Sequence, residues 1–303
     1  MQRQIELIGA AWGLGGAEPG CAEAPAALMP LVADEMERCG VAVRTGPLLS
    51  PLRTERRKQL AVSKLCGLLA SAVADSIHRG ALPCVLGGDH SCAGGTWSGV
   101  ARSVRGELGL VWIDAHMDAH TPQTSHTGRL HGMPLAWLLG EDDDPLYGLA
   151  TGVIEPRHVA LIGVRSFERE EKMRLERLGV RVMYMEEVRN RGIKAVLEEA
   201  IAIATRGTTA FGISIDLDVV TPDEAPAVGT PVPKGVAGAE LGAALDGIGL
   251  RADLAALELV EYSPRLDPGG GTARIAVELL RSALCGQSGG QGDGTRQQPK
   301  VVA

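Results

Sequence analysis

The stretch LGLVWIDAHMDAH, residues 108–120, runs from apolar chain straight into acids and imidazoles. Leu108–Ile113 carries no polar side chain, as expected of a strand covered on both faces. Asp114, His116 and Asp118 then fall at every second position. In an extended chain alternate residues share a side, so these three can converge. Carboxylates left unpaired at the end of a buried strand would be strongly unfavourable, and a bound cation removes that penalty. The plainer alternative is a solvated turn whose aspartate caps the next helix.

Working outward, further segments read as strands: IELIGAA (5–11), VAVRTG (41–46), LPCVLGG (82–88), HVALIGV (158–164), VRVMYM (180–185), TAFGISIDLD (209–218) and LAALELVEY (254–262). Helix candidates lie between them at Leu31–Cys39 (with Pro30 ahead as a start signal), Arg57–Arg79, Arg169–Leu178, Ile193–Thr205, Gly238–Gly249 and Ala273–Cys285. This alternation predicts an α/β fold: a single-domain, three-layer α/β/α arrangement around a parallel, doubly wound sheet. Residues 1–285 are expected to form that domain, and the Gly- and Gln-rich 286–303 a disordered tail. Ligands of such sheets bind at the carboxyl ends of the strands. Polar clusters sit there: GGDHS follows LPCVL, DAHMD ends LGLVWI, DLD ends AFGISI, and EYSP ends LAALELV.

The chain has 303 residues, 45% of them hydrophobic and only 3% aromatic, so its core must be built mainly from Ala, Val, Leu and Ile. A net charge of -7 with interspersed signs argues against nucleic-acid binding, while an acidic pocket would attract a cationic substrate. The six cysteines are scattered singly with no CxxC pair. They read as reduced thiols of a cytoplasmic protein, not as a zinc site. The start MQRQIELIGAAWG does not read as a signal peptide, and no apolar run is expected to span or bind a membrane.

Asp216 and Asp218 repeat the alternating pattern after another buried strand, and His90 in GGDHS adds a third contributor. Alone, the first pair reads equally as a turn or cap, and His90 as a hydrogen-bonded structural residue. Together with Asp114, His116 and Asp118 they make four aspartates and two histidines, too oxygen-rich for tetrahedral zinc. The set suits two divalent ions of intermediate hardness, Mn²⁺ first, with Fe²⁺, Co²⁺ or Ni²⁺ as substitutes. Two ions ~3.5–4 Å apart would share a water and ionise it near neutral pH.

VLGGDHS, DAHMD, LHGMP, SIDLD, GTP and LELVEYSP, in this order over roughly residues 5 to 285, resemble the arginase/agmatinase (ureohydrolase) family. The resemblance implies a dimanganese hydrolase that attacks a guanidinium carbon with a metal-bridging hydroxide. It implies that Asp114 and Asp216 bridge both ions, with His90 and Asp118 on one and His116 and Asp218 on the other. It implies His131 as proton shuttle, Asp118 as proton relay, Glu261 as partner of the substrate guanidinium, and Thr230 as a pocket residue. Glu168 falls where arginases carry an acid near the substrate α-amino group, and equally suits the first turn of a helix. A homo-oligomer, trimer or hexamer, is also implied.

The chain departs from the family where arginases hold the substrate's α-carboxylate: His120 and Thr127 stand for an Asn and a Ser, and Arg129 for another Asn. Thr221 replaces a further Asp that is not a metal ligand in the family. The LHGMPLAWLLG stretch is more similar to arginases than to agmatinases, so L-arginine, cleaved to ornithine and urea, ranks first. Guanidinobutyrate or agmatine as substrate, a catalytically silent binding subunit, and a dinuclear phosphoesterase are the alternatives.

Overall fold

The computed structural model describes residues 3–51, 57–141 and 152–286, so the tail for which disorder is expected lies almost wholly outside the described residues. The strands are β1 (Ile5–Ala10), β2 (Val43–Leu49), β3 (Leu82–Gly87), β4 (Leu108–Ile113), β5 (Val159–Val164), β6 (Arg181–Tyr184), β7 (Ala210–Asp216) and β8 (Leu254–Val260). They form one sheet in the order β2-β1-β3-β8-β7-β4-β5-β6. Every neighbouring pair is parallel. Each expected strand is present. The helices are α1 (Ala24–Arg38), α2 (Lys58–His78), α3 (Ala93–Ser103), α4 (Pro134–Leu138), α5 (Arg169–Leu178), α6 (Met185–Arg191), α7 (Ile193–Ala204), α8 (Gly238–Leu245) and α9 (Gly271–Cys285).

Strand periodicity explains the layers. Val111 and Ile113 belong to the apolar cluster that includes α1, α6, α7, α8 and α9, whereas Leu110 and Trp112 belong to the cluster on the other face, with α2, α3, α4 and α5. All residues of β1, β3, β4, β5 and β8 are buried, which is why these segments read as apolar runs, broken only by Glu6 in β1 and Glu258 in β8.

The helices depart from expectation in three places. Pro30 is not a start signal: α1 begins at Ala24, Pro25 takes its first turn, and Pro30 lies inside the helix. Pro25 loses nothing there because that N–H has no helical partner, and Pro30 is exposed, where water can serve the freed carbonyl. Secondly, α2 is apolar and long enough to cross a membrane by length and composition, against the expectation that no such run exists. Its apolar residues Val62, Leu65, Leu69 and Val73 instead enter the sheet-covering cluster. Thirdly, α3 was not foreseen, because AGGTWSGVARS holds three glycines that disfavour helix. Packing accounts for them. A methyl group on Gly95 would come within 2.7 Å of the Cys66 carbonyl oxygen, and one on Gly99 within 2.9 Å of both Ala70 Cα and Val73 Cβ. The two helices therefore touch backbone to backbone.

This contact sets two effects against each other. Helix propensity favours Gly99→Ala by about 1 kcal/mol. Overpacking against the α2 backbone opposes it by about 1–3 kcal/mol. We expect a net loss, read as a lower urea midpoint at unchanged slope. A raised midpoint would show that the α2–α3 contact is looser than described.

Candidate metal centre

The four central strands, β3, β8, β7 and β4, present their carboxyl ends side by side, and the polar clusters project from those ends. His90 opens a short 3-10 turn, His90–Cys92, whose preceding Asp89 accepts from Ser91 N. Asp216 is the last residue of β7 and caps the next turn by accepting from Asp218 N at 2.9 Å. Asp114 follows β4 directly and accepts from His116 N at 2.7 Å. Of the non-glycine residues described, Asp118, Lys234 and Glu261 alone have left-handed backbones, with φ of 49°, 66° and 67°. Two of the three are thus residues singled out from the sequence, and such strain concentrates at functional sites.

The sequence-derived ligand set is brought together in two groups. His90 Nδ1 lies 2.9 Å from Asp118 Oδ2 and 3.2 Å from both Asp114 Oδ2 and Asp216 Oδ2. His116 Nδ1 lies 2.9 Å from Asp218 Oδ2 and 3.5 Å from Asp114 Oδ1. Asp114 therefore offers one oxygen to each group. His90, Asp114 and Asp216, and likewise Asp114, His116 and Asp218, converge closely enough to hold an ion.

Chemistry supports that fit. His90 Nδ1 is buried without a hydrogen-bond partner, although three carboxylate oxygens surround it. Asp114, Asp118, Asp216 and Asp218 are all buried, and none forms an ion pair with Lys or Arg among the described residues. Burial and the charges of Asp218 and Asp114 hold the Asp216 carboxyl well above the usual range. Burial and Asp114 push Asp118 up to about 6. Burial pulls the His116 imidazole down, but Asp218 and Asp114 outweigh it and lift it to about 12. So concentrated a negative field, with no Lys or Arg to balance it among the described residues, could hold a cation.

Beside the groups, His131 Nδ1 is 2.9 Å from Glu261 Oε1, which also accepts from His90 N at 2.9 Å. Burial lowers His131, yet Glu261 more than offsets this and raises it to about 9. Thr230 donates to Asp218 Oδ2 at 3.2 Å. His120, Thr127, Arg129, His131, Glu168 and Thr230 line one cavity of about 190 Å³ with His116, Asp118 and Asp216. Within it, His120 Nε2 is 3.0 Å from Glu168 Oε2. Glu168 also stands as the N-cap of α5, with Glu171 completing a capping box, which gives it the helix-terminus place its sequence position suits.

Sequence reasoning passed over several partners. Asp89 ties the Gly15 loop beneath His131, accepting from Gly15 N at 2.8 Å, and Trp112 donates to Asp114 Oδ2 at 2.9 Å while stacking on His90. Ser214 and Glu258 lie fully buried behind His90. Glu258 had a visible signal: an acid inside the otherwise apolar run LAALELV.

Fold and site thus define a parallel α/β protein with a carboxylate-rich cluster able to hold metal at the carboxyl edge of its sheet. The model of the Arginase family matches residues 3–286. The arginase of Brevibacillus brevis is 35% identical over 294 residues, covering 94% of this chain and 98% of that protein. The crystal structure of the Bacillus caldovelox arginase superposes with a TM-score of 0.87 at 35% identity, covering 94% of this chain and 98% of the other. An Entamoeba histolytica arginase solved in complex with L-ornithine gives 0.86 at 27% identity, over 94% and 99%. The chain belongs to the arginase family, hydrolases acting on guanidino and amidino groups.

The buried like charges carry a stability consequence. Asp216→Asn keeps the acceptor for Asp218 N and removes one charge from the cluster. Without divalent cations it should raise the thermal midpoint, by stabilisation on the order of 1 kcal/mol. Adding Mn²⁺ should raise the midpoint of the unsubstituted protein and leave that of the variant nearly unmoved. A lower midpoint for the chelator-treated variant would refute the repulsion argument.

Proposed function

We propose that this chain hydrolyses L-arginine to ornithine and urea, with two Mn²⁺ ions as cofactor and Fe²⁺, Co²⁺ or Ni²⁺ as substitutes. The observation that carries this reading is the pair of imidazole–carboxylate groups sharing Asp114, beside a cavity lined by His116, Asp118, Asp216 and by His131, whose Nδ1 is paired with the buried Glu261. His90, Asp114, Asp118 and Asp216 would hold one ion, and Asp114, His116, Asp216 and Asp218 the other. The ions would supply a water activated near neutral pH.

Everything else falls to the chain. A guanidinium is resonance-stabilised and must be held with its carbon exposed to attack. The buried carboxylate of Glu261 accepts its N–H groups and fixes that orientation. Attack cleaves a C–N bond, and the amine departs only when it takes a proton. Asp118, beside the ion it would help hold, can carry that proton, and His131, paired with Glu261, can exchange it with solvent. Thr230 orients Asp218. At the far end of the cavity Thr127 and Arg129 offer donors to a substrate carboxylate.

A second reading has one observation in its favour. Glu168, in the position for an α-ammonium, is already paired with His120, while Arg129 makes no ion pair among the described residues. That arrangement suits a guanidino acid without an α-amino group, such as guanidinobutyrate. Residues 1–285 as one catalytic domain and a trimeric or hexameric assembly complete the proposal. A cytoplasmic location is supported by six free cysteines.

Urea release from L-arginine, guanidinobutyrate and agmatine by the Mn²⁺-loaded protein tests the reading. Arginine should be turned over fastest. Release from guanidinobutyrate alone would establish the second reading, and release from none of them would sink both. His131→Ala should keep both ions and lower kcat by ~10²–10⁴-fold. Arg129→Ala should raise KM for the two acids and leave agmatine unaffected. An equal rise for all three would remove Arg129 from carboxylate recognition.

A further inference from the structure

Behind His90 lies a buried hydrogen-bond chain that the chemistry above does not use. Ser214 on β7 and Glu258 on β8 face each other across the sheet. Both are wholly buried. The Ser214 hydroxyl donates to Glu258 Oε2 at 2.7 Å, and its oxygen lies 3.0 Å from His90 Nε2. The other oxygen of Glu258 accepts from Thr96 Oγ1 at 2.5 Å and from the Cys92 thiol at 3.5 Å. Three donors thus converge on one carboxylate, which has no Lys or Arg partner among the described residues.

We propose that Glu258, acting through Ser214, is the positioning residue that fixes the tautomer of His90 and thereby makes its Nδ1 a metal ligand. The inference rests on the metal-centre reading above. A serine hydroxyl has a single proton. Because Ser214 gives that proton to Glu258, it meets His90 only as an acceptor, so Nε2 carries the ring hydrogen. The lone pair of the neutral ring then stands on Nδ1, the atom buried among Asp114, Asp118 and Asp216 without a hydrogen bond. Trp112, stacked on the ring at 4.2 Å, holds its plane. Reversing the chain, with Ser214 donating to Nε2, would strip the buried Glu258 Oε2 of the hydroxyl it accepts from. Nδ1 would then carry hydrogen and could not bind an ion. Groups behind a ligating histidine commonly set its orientation and basicity in this way, at ~10–100-fold in metal affinity.

The test measures Mn²⁺ binding by titration calorimetry on the full chain, together with imidazole ¹⁵N shifts of the Zn²⁺-loaded protein, His90 being assigned through His90→Gln. We expect Ser214→Ala to weaken one of two Mn²⁺ sites by ~10–100-fold and spare the other. Ser214→Thr, which keeps the hydroxyl, should restore it. Glu258→Gln should weaken the same site. In the unsubstituted protein the His90 ring should carry its proton on Nε2. Two unaltered sites in both Ser214→Ala and Glu258→Gln would overturn the relay while leaving the metal centre intact. Failure of the unsubstituted chain to bind Mn²⁺ would overturn the metal centre and the relay with it. Should Ser214→Ala not fold, the ring shifts of the unsubstituted protein still decide, and a proton on Nδ1 refutes the proposal.

Discussion

The constraint on which this structure turns is the burial of four aspartates at the centre of an apolar sheet. A lone carboxylate moved from water into such surroundings loses several kcal/mol even after the protein relaxes, and like charges beside it add to the loss. Arginines and lysines relieve this in most proteins. Here the relief comes from His90 and His116 and from backbone N–H donors, and a cation held by the cluster would complete it. The strands beneath supply what the cluster takes away. β3, β4 and β8 are buried along their whole lengths, so the site stands on the most rigid part of the molecule.

The same constraint explains the local backbone. Asp114, Asp216 and Asp89 each accept a hydrogen bond from an N–H two residues or fewer along the chain or from a neighbouring loop. Such short-range bonds bend the chain as it leaves a strand, so residues two apart can face one centre. Asp118 and Glu261 need a sharper bend and take left-handed φ to achieve it. Gly88 permits another close approach, since a methyl group there would run into the Trp12 carbonyl.

The fold was legible because most of its strands are doubly buried and its helices separate them regularly. Each of the eight strands overlaps a segment expected to be one, most clearly in the fully buried β1, β3, β4, β5 and β8, and least closely in the part-exposed edge strand β2. Helix boundaries were less legible. Pro30 misled because a proline on an exposed helix face is tolerated, and α3 was hidden because its glycines serve contact with α2, not propensity. The metal-capable residues were legible from spacing, as Asp114, His116 and Asp118 alternate and Asp216 and Asp218 repeat the step. What stands behind them was not. Ser214 and Glu258 act across two strands distant in sequence, and no local pattern records that Ser214 faces Glu258.

Substrate choice lies at the other end of the cavity and obeys different physics. The metal-facing end is set by strand ends that cannot move without disturbing the sheet. The outer end is built from the loop carrying His120, Thr127 and Arg129 and from the first turn of α5. Loops on a fixed scaffold change their contacts without unfolding it. In the function proposed above, the His120–Glu168 pair would be such a change: the imidazole engages the acid that a substrate ammonium would otherwise meet. An incoming α-ammonium must then displace His120 from Glu168 or share the acid with it. Glu171, buried beside them and lifted by its burial to about 8, leaves little additional negative charge for a second cation. Under the function proposed above, discrimination among guanidino acids would depend on how readily the His120–Glu168 contact opens, while the hydrolytic end stays unchanged.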